Sequence, residues 1–226
     1  MLILCALGGL LIGWLADALS GRLPRWTGHV APSQEPAPRR LPAVVRWTMR
    51  GQAPGDRLAR GIELGSAVFL AGLWMVCGPS QAFWVLSASY VYLLLIALID
   101  LKHRLVLNAM TYPALVVALA AHLLAADQPI AQVLVGGGMA FAIFFLAGWL
   151  RPGQLGFGDV KLATLIGVGL GFPTILWALL AGTGAAGVVA IWLLHRGASA
   201  QNRIAYAPFL CLGALAALLG TQLPVS

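Results

Sequence analysis

The sequence predicts an all-α fold, a polytopic membrane bundle of about eight transmembrane helices. Three observations predict it. Of 226 residues, 60% are hydrophobic and only 9% are charged, where soluble domains carry about 25% charged residues. The apolar residues gather into runs near the roughly 17–25 residues that cross a bilayer as a helix. The fourteen Lys and Arg gather between those runs or at their ends. The net charge of +7 is therefore a topology signal and not a nucleic-acid-binding face, and no nucleic-acid partner is expected.

Residues 2–19 form the first run. No basic residue precedes it, while Arg22 and Arg25 follow it. It reads as an uncleaved span with its N-terminus outside. Residues 20–60 break the pattern with six prolines and eight of the fourteen basic residues. This basic, Pro-rich loop has room for a short helix near Val44–Met49 but not for a core of its own. The remaining runs are 61–77, 82–99, 109–126, 130–150, 159–171, 173–194 and 205–222. The sixth of the eight, 159–171, is short and is expected to tilt or to be partly re-entrant. The chain thus divides into a first helix (1–19), the basic loop (20–60) and a membrane-embedded domain (61–226).

Counting charges tests the span number. With the N-terminus outside, the inside segments are 20–60, 100–108, 151–158 and 195–204. They contain every Lys and Arg except Lys161, which follows the third of them within a turn of helix. The outside turns near Gly78–Gln81, Asp127–Pro129 and Phe172–Pro173 have none. A wrong span count would scramble this asymmetry. Cys5, Cys77 and Cys211 form no CxxC pair and read as small hydrophobes, with no metal site and no disulfide.

There are seven acidic residues. Glu35, Asp56 and Asp127 lie in loops or turns and read as solvated charges. Asp17, Glu63, Asp100 and Asp159 lie at or inside apolar runs, where a carboxylate is costly and needs a reason. Asp100 ends the third run and Asp159 opens the sixth. Two crossings separate them, so span parity returns both to the same edge of the bilayer. Two carboxylates held close in low dielectric share one proton. The ionised member then serves as general base on a water while the protonated member polarises a carbonyl. A simpler reading makes both residues interfacial anchors, or partners of Lys102 and Lys161. The dipole of a helix N-terminus would also favour Asp159. Gly156 and Gly158, which flank Phe157 just before Asp159, tilt the balance towards chemistry. Small residues there let another backbone approach.

At this point the residues resemble a known family. Gly156-Phe157-Gly158-Asp159-Val160-Lys161-Leu162 resembles the GxGD motif of type IV prepilin peptidases, also called prepilin leader peptidases. Leu98-Ile99-Asp100, with Leu107-Asn108 after it, resembles their first aspartate motif, with Leu107 where proline is usual. Ala205-Tyr206-Ala207-Pro208-Phe209-Leu210 resembles their late Pro-Phe-Gly-Pro-Tyr-Leu segment. Gly13, Gly21-Arg22-Leu23-Pro24 and Glu63 resemble the start of such chains. Presenilin-type proteases share GxGD but carry a Tyr-Asp motif not found here.

The resemblance implies an aspartic endopeptidase of the cytoplasmic (inner) membrane of a bacterium. Asp100 and Asp159 would be the catalytic pair. Gly156, Gly158, Lys161, Lys102, Asn108 and Pro208 would be close to the substrate. The partners implied are the lipid bilayer and a prepilin or pseudopilin precursor of a type IV pilus or type II secretion system. Its basic leader would be cut after a glycine at the cytoplasmic face. Many members carry two CxxC pairs in the loop after the first span, and this loop has no cysteine, so no structural zinc is expected. Proteolysis needs no cofactor. S-adenosylmethionine enters only if N-methylation of the new terminus is retained, which the altered loop puts in doubt.

The remaining features have plain readings. Lys102, His103 and Arg104 set orientation and meet headgroups, with tuning of the aspartates by Lys102 or Lys161 as the sharper alternative. Asp17 pairs with a nearby arginine. His29, His122 and His195 lack metal spacing. Gly136-Gly137-Gly138 and the glycines from Gly182 to Gly187 pack helices closely. The tryptophans mark span ends. Two rival functions remain, a small transporter or channel and an inactive assembly relative. Transport predicts carboxylates near the bilayer midplane and an internal repeat, and neither is evident.

Overall fold

The computed structural model of the chain describes residues 2–26, 56–125, 128–150, 155–196 and 205–222. The short helix expected near Val44–Met49, most of the basic loop and His29 lie outside them. The described residues form eight helices: α1 (Leu2–Trp26), α2 (Asp56–Cys77), α3 (Gln81–His103), α4 (Asn108–Ala125), α5 (Ile130–Leu150), α6 (Phe157–Leu170), α7 (Thr174–His195) and α8 (Ala207–Gln222). No strand occurs among the described residues. A polytopic helical bundle is the architecture that the sequence predicts.

Six helices, α1 to α5 and α7, are long and apolar enough to cross a membrane. Large apolar side chains on them, such as Val68, Val116, Leu124, Trp149 and Leu180, are exposed. Lipid is the solvent that accepts such a surface. At 1.5 Å rise per residue, the 14 residues of α6 span about 21 Å, short of a hydrocarbon core of about 30 Å. The short sixth run is thus a short helix. Elsewhere helices outrun the apolar runs that announce them. α1 continues to Trp26 and α2 begins at Asp56, because helical hydrogen bonding does not stop where the side chains become polar.

The chain forms two compact units, Met1–Lys102 with Gln222–Ser226, and His103–Thr221. In the first, α1 lies antiparallel against α2 with backbones in near contact. A Cβ on Gly9 would come 2.5 Å from Ala67 Cα, and one on Gly13 would come 2.7 Å from Glu63 Cα. Only glycine permits this approach. Glu63 is buried to 1% exposure in α2, facing α1 at Gly13. The turn into α3 is closed by Gly78, at φ 59°, whose N–H donates to the Trp74 carbonyl, and by Ser80, whose Oγ accepts the Phe83 N–H. Further along the hairpin, Phe69 stacks on Tyr90 at 4.2 Å. Ser66 Oγ donates to the Ile62 carbonyl (2.7 Å), so the Tyr90 hydroxyl must be the donor in its 2.9 Å bond to Ser66.

In the second unit, α5 and α6 cross glycine to glycine. A Cβ on Gly136 would stand 2.6 Å from the Gly167 carbonyl oxygen, and one on Gly167 would stand 2.5 Å from that of Gly136. Gly137 faces Val168, whereas Gly138 faces open space. α4 ties to α6 through His122, whose Nε2 donates to the Gly169 carbonyl at 3.2 Å. α7 meets α8 at Gly182, where a Cβ would come 2.8 Å from the Phe209 carbonyl oxygen. Gly136, Gly137 and Gly182 pack closely as expected, whereas a Cβ on Gly138, Gly184 or Gly187 would meet nothing within 4 Å.

Candidate active site

Asp100 lies in the last turn of α3, 6% exposed, with Leu98 and Ile99 buried beside it. Three residues on, the helix ends. Arg104 takes a left-handed conformation (φ 53°), the usual way to leave a helix C-terminus, although a residue other than glycine makes it costly. Two residues after Asp100, the Lys102 ammonium reaches α1. It donates to the Asp17 carbonyl (2.8 Å), Asp17 Oδ1 (2.9 Å) and Ser20 Oγ (2.7 Å). Asp17 therefore has Lys102 as an ion-pair partner. The Lys102 side chain is 26% exposed and that of Asp17 11%, so the lysine lies along the protein instead of extending to headgroups.

In the second unit, α4 starts at Asn108, on a turn closed by the Leu107 carbonyl. That oxygen accepts the N–H groups of Met110 and Thr111 (both 3.1 Å) and the Thr111 hydroxyl (2.7 Å). Leu107 and Thr111 are buried. Leu107 thus serves at the helix start where the family pattern has proline.

Asp159 is the third residue of α6. Its Oδ2 accepts the Gly156 N–H at 3.3 Å, and its own N–H donates to the Gly156 carbonyl at 3.0 Å. Gly156 has ordinary extended angles (φ −77°, ψ 143°). The carboxylate also sits at the positive end of the α6 dipole. Tyr206, in the approach to α8, is within electrostatic reach of Asp159. Its ring packs on Phe144 of α5 at 5.9 Å.

Gly158 packs against the chain just before α4. A Cβ there would come 2.9 Å from Val106 Cβ, so the space is occupied by the 104–107 turn. Lys161 reaches α4. Its Nζ donates to Asn108 Oδ1 at 2.9 Å and lies 5.0 Å from the Tyr112 ring centre and 5.2 Å from that of Phe157. The second half of the first aspartate motif and the GxGD motif therefore meet through Asn108 and Lys161. Pro208 lies in the first turn of α8, where a missing N–H costs nothing.

Sequence reasoning did not find Ser20, Val106, Tyr112 and Phe157 as contacts. The last two had a visible signal. Asn108 and Tyr112, and likewise Phe157 and Lys161, are spaced i, i+4, which places each pair on one helix face. Among the described residues no three His, Cys, Asp or Glu side chains gather as metal ligands. The Cys-free loop that bears on zinc and on S-adenosylmethionine lies largely outside the described residues.

This fold and these helix-end carboxylates define a polytopic α-helical membrane protein with acidic groups at the last turn of one helix and the first turn of another. The sequence profile of the type IV leader peptidase family matches residues 87–194, which include Asp100, Asn108, the GxGD segment and Lys161. Across that segment, which is just under half of the chain, the sequence is similar to the type IV leader peptidase family. No curated protein and no solved structure matches the chain.

Proposed function

We propose that this chain is an aspartic endopeptidase that removes the basic leader from type IV prepilin or pseudopilin-like precursors, with Asp100 and Asp159 as its catalytic pair. One observation carries the reading. The leader-peptidase match contains both aspartates, each within a turn of a helix end, and span parity assigns both to one membrane edge. The positive-inside count makes that edge cytoplasmic and the N-terminus external.

One carboxylate takes a proton from water as the water oxygen bonds to the scissile carbonyl carbon. The other, protonated, donates to the carbonyl oxygen. A tetrahedral gem-diol results. Proton return to the amide nitrogen breaks the C–N bond and releases leader and mature chain. The cut follows a leader glycine, next to the apolar helix of the precursor. No metal or cofactor takes part, and S-adenosylmethionine belongs only to a separate methylation step. The 61–226 region is the peptidase domain in this reading.

The test is cleavage of a prepilin-like precursor by the purified protein in detergent. Asp100→Asn and Asp159→Asn should each abolish product, a loss of more than about a thousandfold for a group that acts directly in the chemistry. Cleavage that survives both substitutions would remove the aspartates from the mechanism.

A further inference from the structure

Each aspartate is followed two residues later by a lysine, in Asp100-Leu101-Lys102 and in Asp159-Val160-Lys161. Two residues on an α-helix are about 200° apart. Each lysine therefore leaves its helix from the side opposite the aspartate. Each reaches a neighbouring helix of its own unit.

In the first unit, the three N–H groups that an ammonium possesses match three oxygens on α1, two of Asp17 and one of Ser20, at 2.7–2.9 Å. Ser20 is fully buried and spends its own proton on the Asp17 carbonyl (2.8 Å), so it meets Lys102 as an acceptor. In the second unit, Lys161 is held by neutral groups, the Asn108 amide oxygen and the faces of Tyr112 and Phe157. The Phe157/Lys161 pair on α6 thus docks on the Asn108/Tyr112 pair on α4. Two unlike devices secure the last turn of α3 and the first turn of α6. Helix ends are where hydrogen bonding is incomplete and opening is easiest.

Resting on the peptidase reading above, we propose that Lys102 and Lys161 are positioning residues. Each fixes the rotation and height of the helix end that carries an aspartate by tying the opposite side of that helix to α1 or to α4. A displacement of about 1 Å in a reacting group costs about a hundredfold in rate. Because the lysines act through the helix and not on the substrate, their loss should lower kcat and spare KM.

The experiment is steady-state cleavage of a basic-leader precursor by the full chain in detergent, with thermal unfolding of every variant recorded alongside. Lys102→Met and Lys161→Met should each lose about tenfold to a hundredfold in kcat with KM within about twofold. Asp17→Asn combined with Lys102→Met should lose no more than Lys102→Met alone, whereas the two lysine losses should multiply, since the ties are separate. The exchanged pair Asp17→Lys with Lys102→Asp should regain most of the lost kcat. If Lys102→Met does not fold, the exchanged pair decides. Recovery supports the tie, and a folded exchanged pair as inactive as Asp100→Asn overturns it. Folded lysine variants with wild-type kcat overturn the proposal, as does a rise in KM at constant kcat, which would put the lysines on the substrate. Cleavage that persists in Asp100→Asn and Asp159→Asn would instead overturn the peptidase assignment beneath it, and the proposal with it.

Discussion

Thr111 shows how one side chain can hold the turn between two motifs. Its hydroxyl donates to the buried Leu107 carbonyl at 2.7 Å. Thr111→Val keeps the shape and removes that bond, and should lower stability by about 1 kcal/mol, read as a lower midpoint in detergent unfolding. Arg104 gives the opposite expectation. It holds φ 53° without being glycine, so Arg104→Gly should raise stability by about 1 kcal/mol. Single residues were legible where their chemistry clashed with their surroundings. Asp100 and Asp159 stood out because a carboxylate at the edge of an apolar run demands a reason. Partners were less legible. Asp17 meets Lys102, 85 residues away in sequence, a partner that no local spacing announces. Charge placement says that a partner is needed and not which chain segment will supply it.

Between elements, the glycines divide into those that face a neighbour and those that do not. Gly136 meets the Gly167 backbone, while Gly138, two residues on, meets nothing within 4 Å. Gly136→Ala must push two backbones apart and should destabilise by about 1–3 kcal/mol. Gly138→Ala should be neutral or stabilising by up to about 1 kcal/mol, because alanine is the better helix former. Thermal unfolding of the two variants side by side checks the contrast. The sequence announced that the triple glycine packs a helix, but its near-zero polarity difference around the helix gave no phase. Which face is buried emerges only when α6 is in place. Boundaries show the same limit. The end of α3 at His103, beyond the apolar run that closes near Ile99, places Asp100 inside a helical turn, where the run alone leaves it at the border.

For the whole molecule, charge asymmetry predicts orientation. In a chain whose three cysteines are replaced, Pro79→Cys should react with a membrane-impermeant maleimide from outside, and Arg196→Cys only after the membrane is opened. The reverse pattern would invert the assignment of the cytoplasmic face. Six of the eight described helices are long and apolar enough to cross a membrane, and these were legible because bilayer thickness sets their length, whereas α6 and α8 are shorter.

The glycine crossing of α5 and α6 also has a consequence in time. Val133, Gly136 and Gly137 on one side and Ala163, Ile166 and Gly167 on the other are all buried. With no side chain between the backbones at the crossing, there is nothing to rotate aside. The two helices should behave as one stiff strut, and their central amides should be among the last in the molecule to take up deuterium. If admitting a precursor requires the protein to open, the hinge must lie away from this strut, and fast-exchanging amides would mark it.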